Sequence, residues 1–156
     1  MNYDFNANEV LIMAQKIEQN GAKFYRDAAD KIADAEGKKL LLELAVMEDD
    51  HEKTFIELQK TLTEKEKTSQ TFDPDNDAVL YCKSLADMRV FFEKEIDTSS
   101  MKDVLKSAIV AEKDSIVFYL GMKDLVPTSL GTDKINSIIK EEMKHIRILT
   151  NKLKDI

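Results

Sequence analysis

Two histidines occur in the 156-residue chain, and each follows a glutamate by three positions, as Glu48-x-x-His51 and Glu142-x-x-His145. Residues three apart on a helix share a face, with Cβ atoms about 5 to 6 Å apart, so each segment offers one oxygen and one nitrogen donor to a common point. A single E-x-x-H is weak evidence. Fourteen of the 156 residues are Glu, however, so the odds that both histidines follow one by accident are only about one in a hundred. Two lone glutamates complete the pattern: Glu18 lies thirty residues before Glu48, and Glu112 thirty before Glu142.

The same interval of 94 residues separates Glu18 from Glu112, Glu48 from Glu142 and His51 from His145. The segments after the lone glutamates also match, EQNGAKFY from Glu18 to Tyr25 and EKDSIVFY from Glu112 to Tyr119. The chain reads as a duplicated helical hairpin in which four carboxylates and two imidazoles converge. Burying four ionised carboxylates together costs several kcal/mol per charge unless protons or cations compensate. Two divalent ions match that charge in count, and neutral imidazoles add donors without adding charge. Carboxylate-rich sites with one imidazole per ion suit iron first and manganese second, with zinc as a substitute. The competing assignment, buried ion pairs that set helix register, needs no metal. His51-Glu52 is not the start of an H-E-x-x-H zinc-protease helix, because Phe55 stands where the second histidine is required.

Four amphipathic stretches carry these residues. The first starts near Asn8, a candidate N-cap, and runs to about Asp34 with the stripe Leu11, Ala14, Glu18, Gly21, Tyr25, Ala28, Ile32. The second, from about Gly37 to Lys65, gives Leu41, Leu44, Glu48, His51, Phe55, Leu58, Leu62. The third, from about Ser100 to Leu125, gives Leu105, Ala108, Glu112, Ser115, Tyr119, Met122, Val126, with Pro127 closing it. The fourth, from about Leu130 to Lys154, gives Ile135, Ile138, Glu142, His145, Leu149. Only four Gly and two Pro interrupt the chain. The predicted fold is therefore all-α: a four-helix bundle of two hairpins, forming a single domain over 1–156. The link of over thirty residues between the hairpins is too long for an antiparallel turn and predicts a crossover. That crossover contains a shorter amphipathic segment, 78–96, anchored by Val79, Leu85, Phe91 and Phe92.

Other residues are weighed against the same frame. Tyr25 and Tyr119 lie seven residues beyond a proposed ligand on the same stripe, where a hydroxyl can orient a ligating carboxylate, although aromatics at this spacing also serve as plain core. Phe24 and Phe118 read as core. Glu141 and Glu52 are expected to be solvated, since the repeat mate of Glu141 is Met47 and Glu52 lies off the stripe. The single cysteine, Cys82, cannot form an internal disulfide or a four-thiolate centre, and reads as a small buried apolar residue. A net charge of -7 without a basic run argues against nucleic acid. No stretch has the length of apolar residues a membrane span needs, and the N-terminus lacks a signal-peptide pattern, which leaves a cytoplasmic location as the expectation. Exposed apolar residues on the crossover segment suggest a homodimer.

Two glutamates plus two E-x-x-H segments on four helices resemble the ligand set of the ferritin-like di-iron carboxylate proteins. Within that superfamily the chain looks most like the rubrerythrin group, from its size and the E-x5-F-Y segment on the first helix. The resemblance covers nearly the whole chain. It implies a non-haem di-iron oxidoreductase that reduces peroxide or dioxygen. The cysteines of a fused rubredoxin domain are missing, so an external electron donor such as a rubredoxin-like protein is implied. Ser115 stands where rubrerythrins carry a second glutamate on the third helix, leaving six ligands rather than seven. That six-ligand set is similar to bacterioferritin ferroxidase centres, which makes iron oxidation and handling the alternative function.

Overall fold

A computed structural model of the chain describes residues 6–64, 80, 81, 84, 100–126 and 128–156. Among these residues the regular structure is helical, without strands, and four long helices account for most of it: α1 (Ala7–Lys31), α2 (Ala35–Thr61), α3 (Met101–Met122) and α4 (Thr128–Lys154).

The helix boundaries follow from caps. Asn6, with extended backbone, accepts from the Glu9 N–H at 3.0 Å and so starts α1 two residues before the Asn8 cap expected from sequence. Asn8 instead lies within the first turn, where its Oδ1 accepts from Gln59 Nε2 at 2.9 Å and ties α1 to α2. Both asparagines are good caps; burial of Ala7 and Val10 on the inner face accompanies the earlier start. Asp34 does not end α1 but caps α2, its Oδ2 accepting from the Gly37 N–H at 2.8 Å. A link of only Ile32 to Asp34 is thus enough to reverse the chain. Ser100 caps α3 by accepting from the Asp103 N–H at 3.1 Å.

α1 packs chiefly on α2 and α3 on α4, making two hairpins that touch through α1–α3 and α2–α4. The apolar stripes fill two clusters. One contains Leu11, Phe55, Leu58, Tyr119, Met122 and Ile135, drawn from the start of α1, the end of α2, the end of α3 and the start of α4. The other contains Tyr25, Leu41, Leu44, Leu105 and Leu149, from the opposite ends of the same helices. α2 therefore finishes at one end of the bundle while α3 begins at the other, about 40 Å away for a helix of this length. The connection between them has to run the length of the bundle, as the crossover reading requires. Leu80, Tyr81 and Ser84 of that connection are helical, and the Tyr81 hydroxyl donates to the Val117 carbonyl of α3 at 2.8 Å. Val79, Cys82, Leu85, Phe91, Phe92 and Pro127 lie outside the described residues.

Each fully buried Leu or Phe in the clusters contributes roughly 1.5 to 3 kcal/mol of transfer free energy. At the α2–α4 contact the chain comes so close that a Cβ on Gly131 would lie 2.6 Å from Leu58 Cδ2, which explains a glycine inside α4. Between the two apolar clusters lies a belt of polar side chains.

Candidate metal centre

The polar belt consists of Glu18, Glu48, His51, Glu112, Glu142 and His145, each no more than 3% exposed. One glutamate comes from α1, one from α3, and one Glu–His pair each from α2 and α4. Their meeting follows from the equal spacing in the two halves. Glu18 and Glu48 are equidistant from the short turn that reverses α1 into α2, so antiparallel packing brings them to the same height.

The donor atoms form two groups. Glu18, Glu48, His51 and Glu142 each place one donor atom within 4.8 Å of the others, and so do Glu48, Glu112, Glu142 and His145. Glu48 and Glu142 belong to both groups, while Glu18 with His51 and Glu112 with His145 belong to one each. Such sharing fits two adjacent cations, which Glu48 and Glu142 would hold in common and which Glu18 and Glu112 would each complete at one end. His51 Nδ1 lies 3.1 Å from Glu142 Oε1 and 3.5 Å from both Glu18 Oε2 and Glu48 Oε2. His145 Nδ1 lies 2.9 Å from Glu142 Oε2 and 3.5 Å from Glu48 Oε1 and Glu112 Oε1. The imidazoles lie nearly parallel across the centre, 5.6 Å between ring centroids.

These contacts do not satisfy the group by themselves. Glu48 Oε1, Glu142 Oε2 and His145 Nδ1 are buried with no hydrogen-bond partner, although they approach one another closely. Orphaned inward-facing donors on carboxylates and imidazoles are the chemistry a divalent ion completes, so the residues fit a pair of metal ions.

Electrostatics point the same way. Burial, then repulsion from Glu48, pushes the Glu18 carboxyl well above its ordinary range. Burial with the nearby Glu142 and Glu112 raises Glu48 likewise, and burial with Glu112 and Glu18 pushes Glu142 up to about 8. Burial would also raise Glu112, but the nearby His145 and Glu142 and the Tyr25 hydroxyl outweigh it and hold this carboxyl low. Burial disfavours the charged imidazoles. The surrounding carboxylates outweigh that cost, raising His51 through Glu142, Glu18 and Glu48, and His145 to about 12 through Glu112, Glu142 and Glu48. Without metal, protons gather in this cluster to balance its carboxylates; a metal has to displace them.

The tyrosines cross between the halves. Tyr25 of α1 donates its hydroxyl to Glu112 Oε1 of α3 at 2.5 Å, and Tyr119 of α3 donates to Glu18 Oε1 of α1. Both carboxylates are thereby fixed by a phenol from the opposite hairpin. Burial beside these carboxylates raises both phenol pKa values well above the usual range, so the phenols stay protonated as donors. Ser115 is buried, but its hydroxyl donates to the Ala111 carbonyl at 3.0 Å, so it is turned to its own helix.

Glu141 extends the sequence reading. The expectation that it is solvated holds, since its side chain is 57% exposed, but its Oε2 also sits 2.6 Å from His51 Nε2, a contact the sequence does not reveal. Sequence spacing within α4 hides this, because the partner lies on α2 and the repeat places Met47, not an acidic residue, at the matching position of the first half. Glu52 has no such role: it accepts from Gln19 Nε2 at 2.6 Å on the surface. A groove of about 430 Å³ between α2 and α4 reaches His51 from outside, with Asp50, Thr54, Lys134, Ser137 and Glu141 among its walls.

Fold and site together define a helical bundle built around a buried carboxylate–imidazole centre. The rubrerythrin family model matches residues 9–100, more than half of the chain, and the protein belongs to that family. A solved structure from Thermotoga maritima, described as that of a ferritin-like diiron-carboxylate protein, aligns with a TM-score of 0.71 and 27% identity over 96% of this chain and 95% of that one. No curated protein matches the sequence. Among the described residues no helix is long and apolar enough to cross a membrane.

Proposed function

We propose that the protein is a non-haem di-iron oxidoreductase that reduces peroxide or dioxygen with electrons from an external donor. The observation that carries the reading is the pair of buried four-residue donor groups sharing Glu48 and Glu142. Two irons bound there supply a two-electron ferrous-to-ferric change, which is the number of electrons needed to reduce peroxide to water.

The chain's own residues set the conditions for that chemistry. Glu48 and Glu142 would be shared by the two ions, Glu18 with His51 and Glu112 with His145 would complete each position, and Tyr25 and Tyr119 keep the Glu112 and Glu18 carboxylates from rotating. The two apolar clusters exclude water from both ends of the bundle. The groove beside His51 offers a small polar reactant a polar approach. The one cysteine of these 156 residues, Cys82, cannot build a rubredoxin-type centre, and a separate redox protein of rubredoxin type is the electron donor of this proposal. Manganese is the second candidate metal and zinc an inactive substitute. A cytoplasmic location and a homodimer complete the proposal, the latter supported by the exposure of Leu80 and Tyr81 on the crossover.

One observation favours ferroxidase activity as the second reading. With Ser115 turned to Ala111, the centre offers six ligands, the number in the bacterioferritin-like pattern. Stopped-flow oxidation of the di-ferrous protein separates the two. Faster oxidation by peroxide than by dioxygen, with two irons per chain and no further uptake, supports the oxidoreductase; repeated oxidation of many Fe(II) per centre transfers the assignment to iron handling.

A further inference from the structure

The pseudo-twofold relation between the hairpins carries Met47 onto Glu141, and these two residues take the same place on the outer edges of the two imidazoles. Glu141 Oε2 lies 2.6 Å from His51 Nε2, whereas Met47 Sδ lies 3.2 Å from His145 Nε2. In both rings Nδ1 faces the carboxylate cluster. An imidazole that ligates through Nδ1 carries its proton on Nε2. His51 then donates that proton to a carboxylate, while His145 meets a thioether, a weak acceptor. A carboxylate on the outer N–H fixes the ring and its tautomer and strengthens the ligating nitrogen, and losing such a partner typically costs about 10- to 100-fold in metal affinity.

We propose that Glu141 is a positioning residue that makes the two metal positions unequal, so that a divalent ion fills the Glu18–His51 position before the Glu112–His145 position. The surroundings differ in the same sense. Glu141, Asp50 and Glu57 outnumber Lys134 in the polar groove that reaches His51, whereas Met47 lies with Leu42 and Val46 in a surface groove whose charged walls are Lys38, Lys39 and Glu43. A hydrated cation is drawn to the acidic side. Because Glu141 is 57% exposed, solvent weakens its effect, and the separation between the two steps is placed at the lower end, about tenfold.

The inference rests on the di-metal reading, and the test tells the two apart. Anaerobic Co(II) titration of the whole chain, followed by visible absorption and calorimetry, is expected to show two steps about tenfold apart. Glu141→Gln weakens the first step about tenfold and leaves the second in place, merging them; Met47→Glu tightens the second. Helical content by circular dichroism stays unchanged in both, and a merely structural role for Glu141 would instead weaken both steps together, which overturns the proposal. Two equal steps in the unmodified protein also overturn it while leaving the di-metal reading intact. Absence of Co(II) binding overturns both.

Discussion

The two hairpins agree inside and disagree outside. Inward, Glu18, Tyr25, Glu48 and His51 are repeated as Glu112, Tyr119, Glu142 and His145, and each set is buried. Outward, Lys16, Lys23, Arg26 and Asp49 of the first hairpin become Val110, Val117, Leu120 and Met143 in the second, the latter four all exposed. Arg26 and Asp49 form an ion pair across α1 and α2, which the second hairpin replaces with apolar surface. The duplicated unit keeps its chemistry where four helices share one centre and changes it at these four outward positions, among them Val117, whose carbonyl accepts from Tyr81 of the crossover.

The largest effect comes from breaking what the halves share. Replacing both shared residues, Glu48→Leu with Glu142→Leu, abolishes metal binding, read as metal per chain after dialysis. Metal-free stability falls in the same variant by about 3 to 5 kcal/mol in a urea melt, because the buried His51 and His145 lose carboxylate partners. Next come the apolar clusters at the two ends. Phe55→Ala costs about 3 to 5 kcal/mol and also loosens Tyr119, whose ring centroid lies 5.2 Å away; Leu149→Ala, at the equivalent place in the other half, costs about 2 to 5 kcal/mol.

Tyr25→Phe and Tyr119→Phe test the internal equivalence more finely. Each leaves a buried carboxylate oxygen without its donor, so each is expected to cost about 1 to 3 kcal/mol, and to a similar extent. A large difference between the two would show that the halves have diverged inside as well.

Acidity gives a further test on the metal-free protein. Glu142 is pushed up to about 8, whereas an unfolded glutamate releases its proton near 4.3, so the folded chain holds a proton the unfolded chain has lost and stability falls as pH rises between these values. His145, raised to about 12 from about 6.5 when unfolded, contributes stability that is complete below about 6.5 and lost as pH climbs toward 12. Glu112, held low, works in the opposite direction only in more acidic solution. Melting temperature without metal should therefore fall from pH 5 to pH 8.5. Divalent metal, which must displace these protons, should stabilise more at pH 8 than at pH 6. The smallest effect is at the surface: Leu120→Arg with Met143→Asp transplants the Arg26–Asp49 pair and changes stability by no more than about 1 kcal/mol if that face meets solvent.

The inner set was legible in the sequence because helical periodicity and duplication both act on it. Glu18, Glu48, His51, Glu112, Glu142 and His145 interrupt apolar stripes at equal intervals, and Tyr25 and Tyr119 share those stripes. Glu141 was not legible, since its contact to His51 runs between α4 and α2 and is absent from the first half, where Met47 takes its place. The start of α1 was misplaced for a local reason: Asn6 and Asn8 are both competent caps, and the choice between them accompanies the burial of Ala7 and the cross-helix bond of Asn8 to Gln59.

The central claim is that the two hairpins jointly hold a pair of metal ions through shared carboxylates. Anaerobic reconstitution with Fe(II), followed by gel filtration and iron determination, tests it most directly. Two irons per chain in the unmodified protein, falling to none in the Glu48→Leu, Glu142→Leu variant, is the expected result; an unmodified protein that retains no iron, or a variant that retains as much, would contradict it.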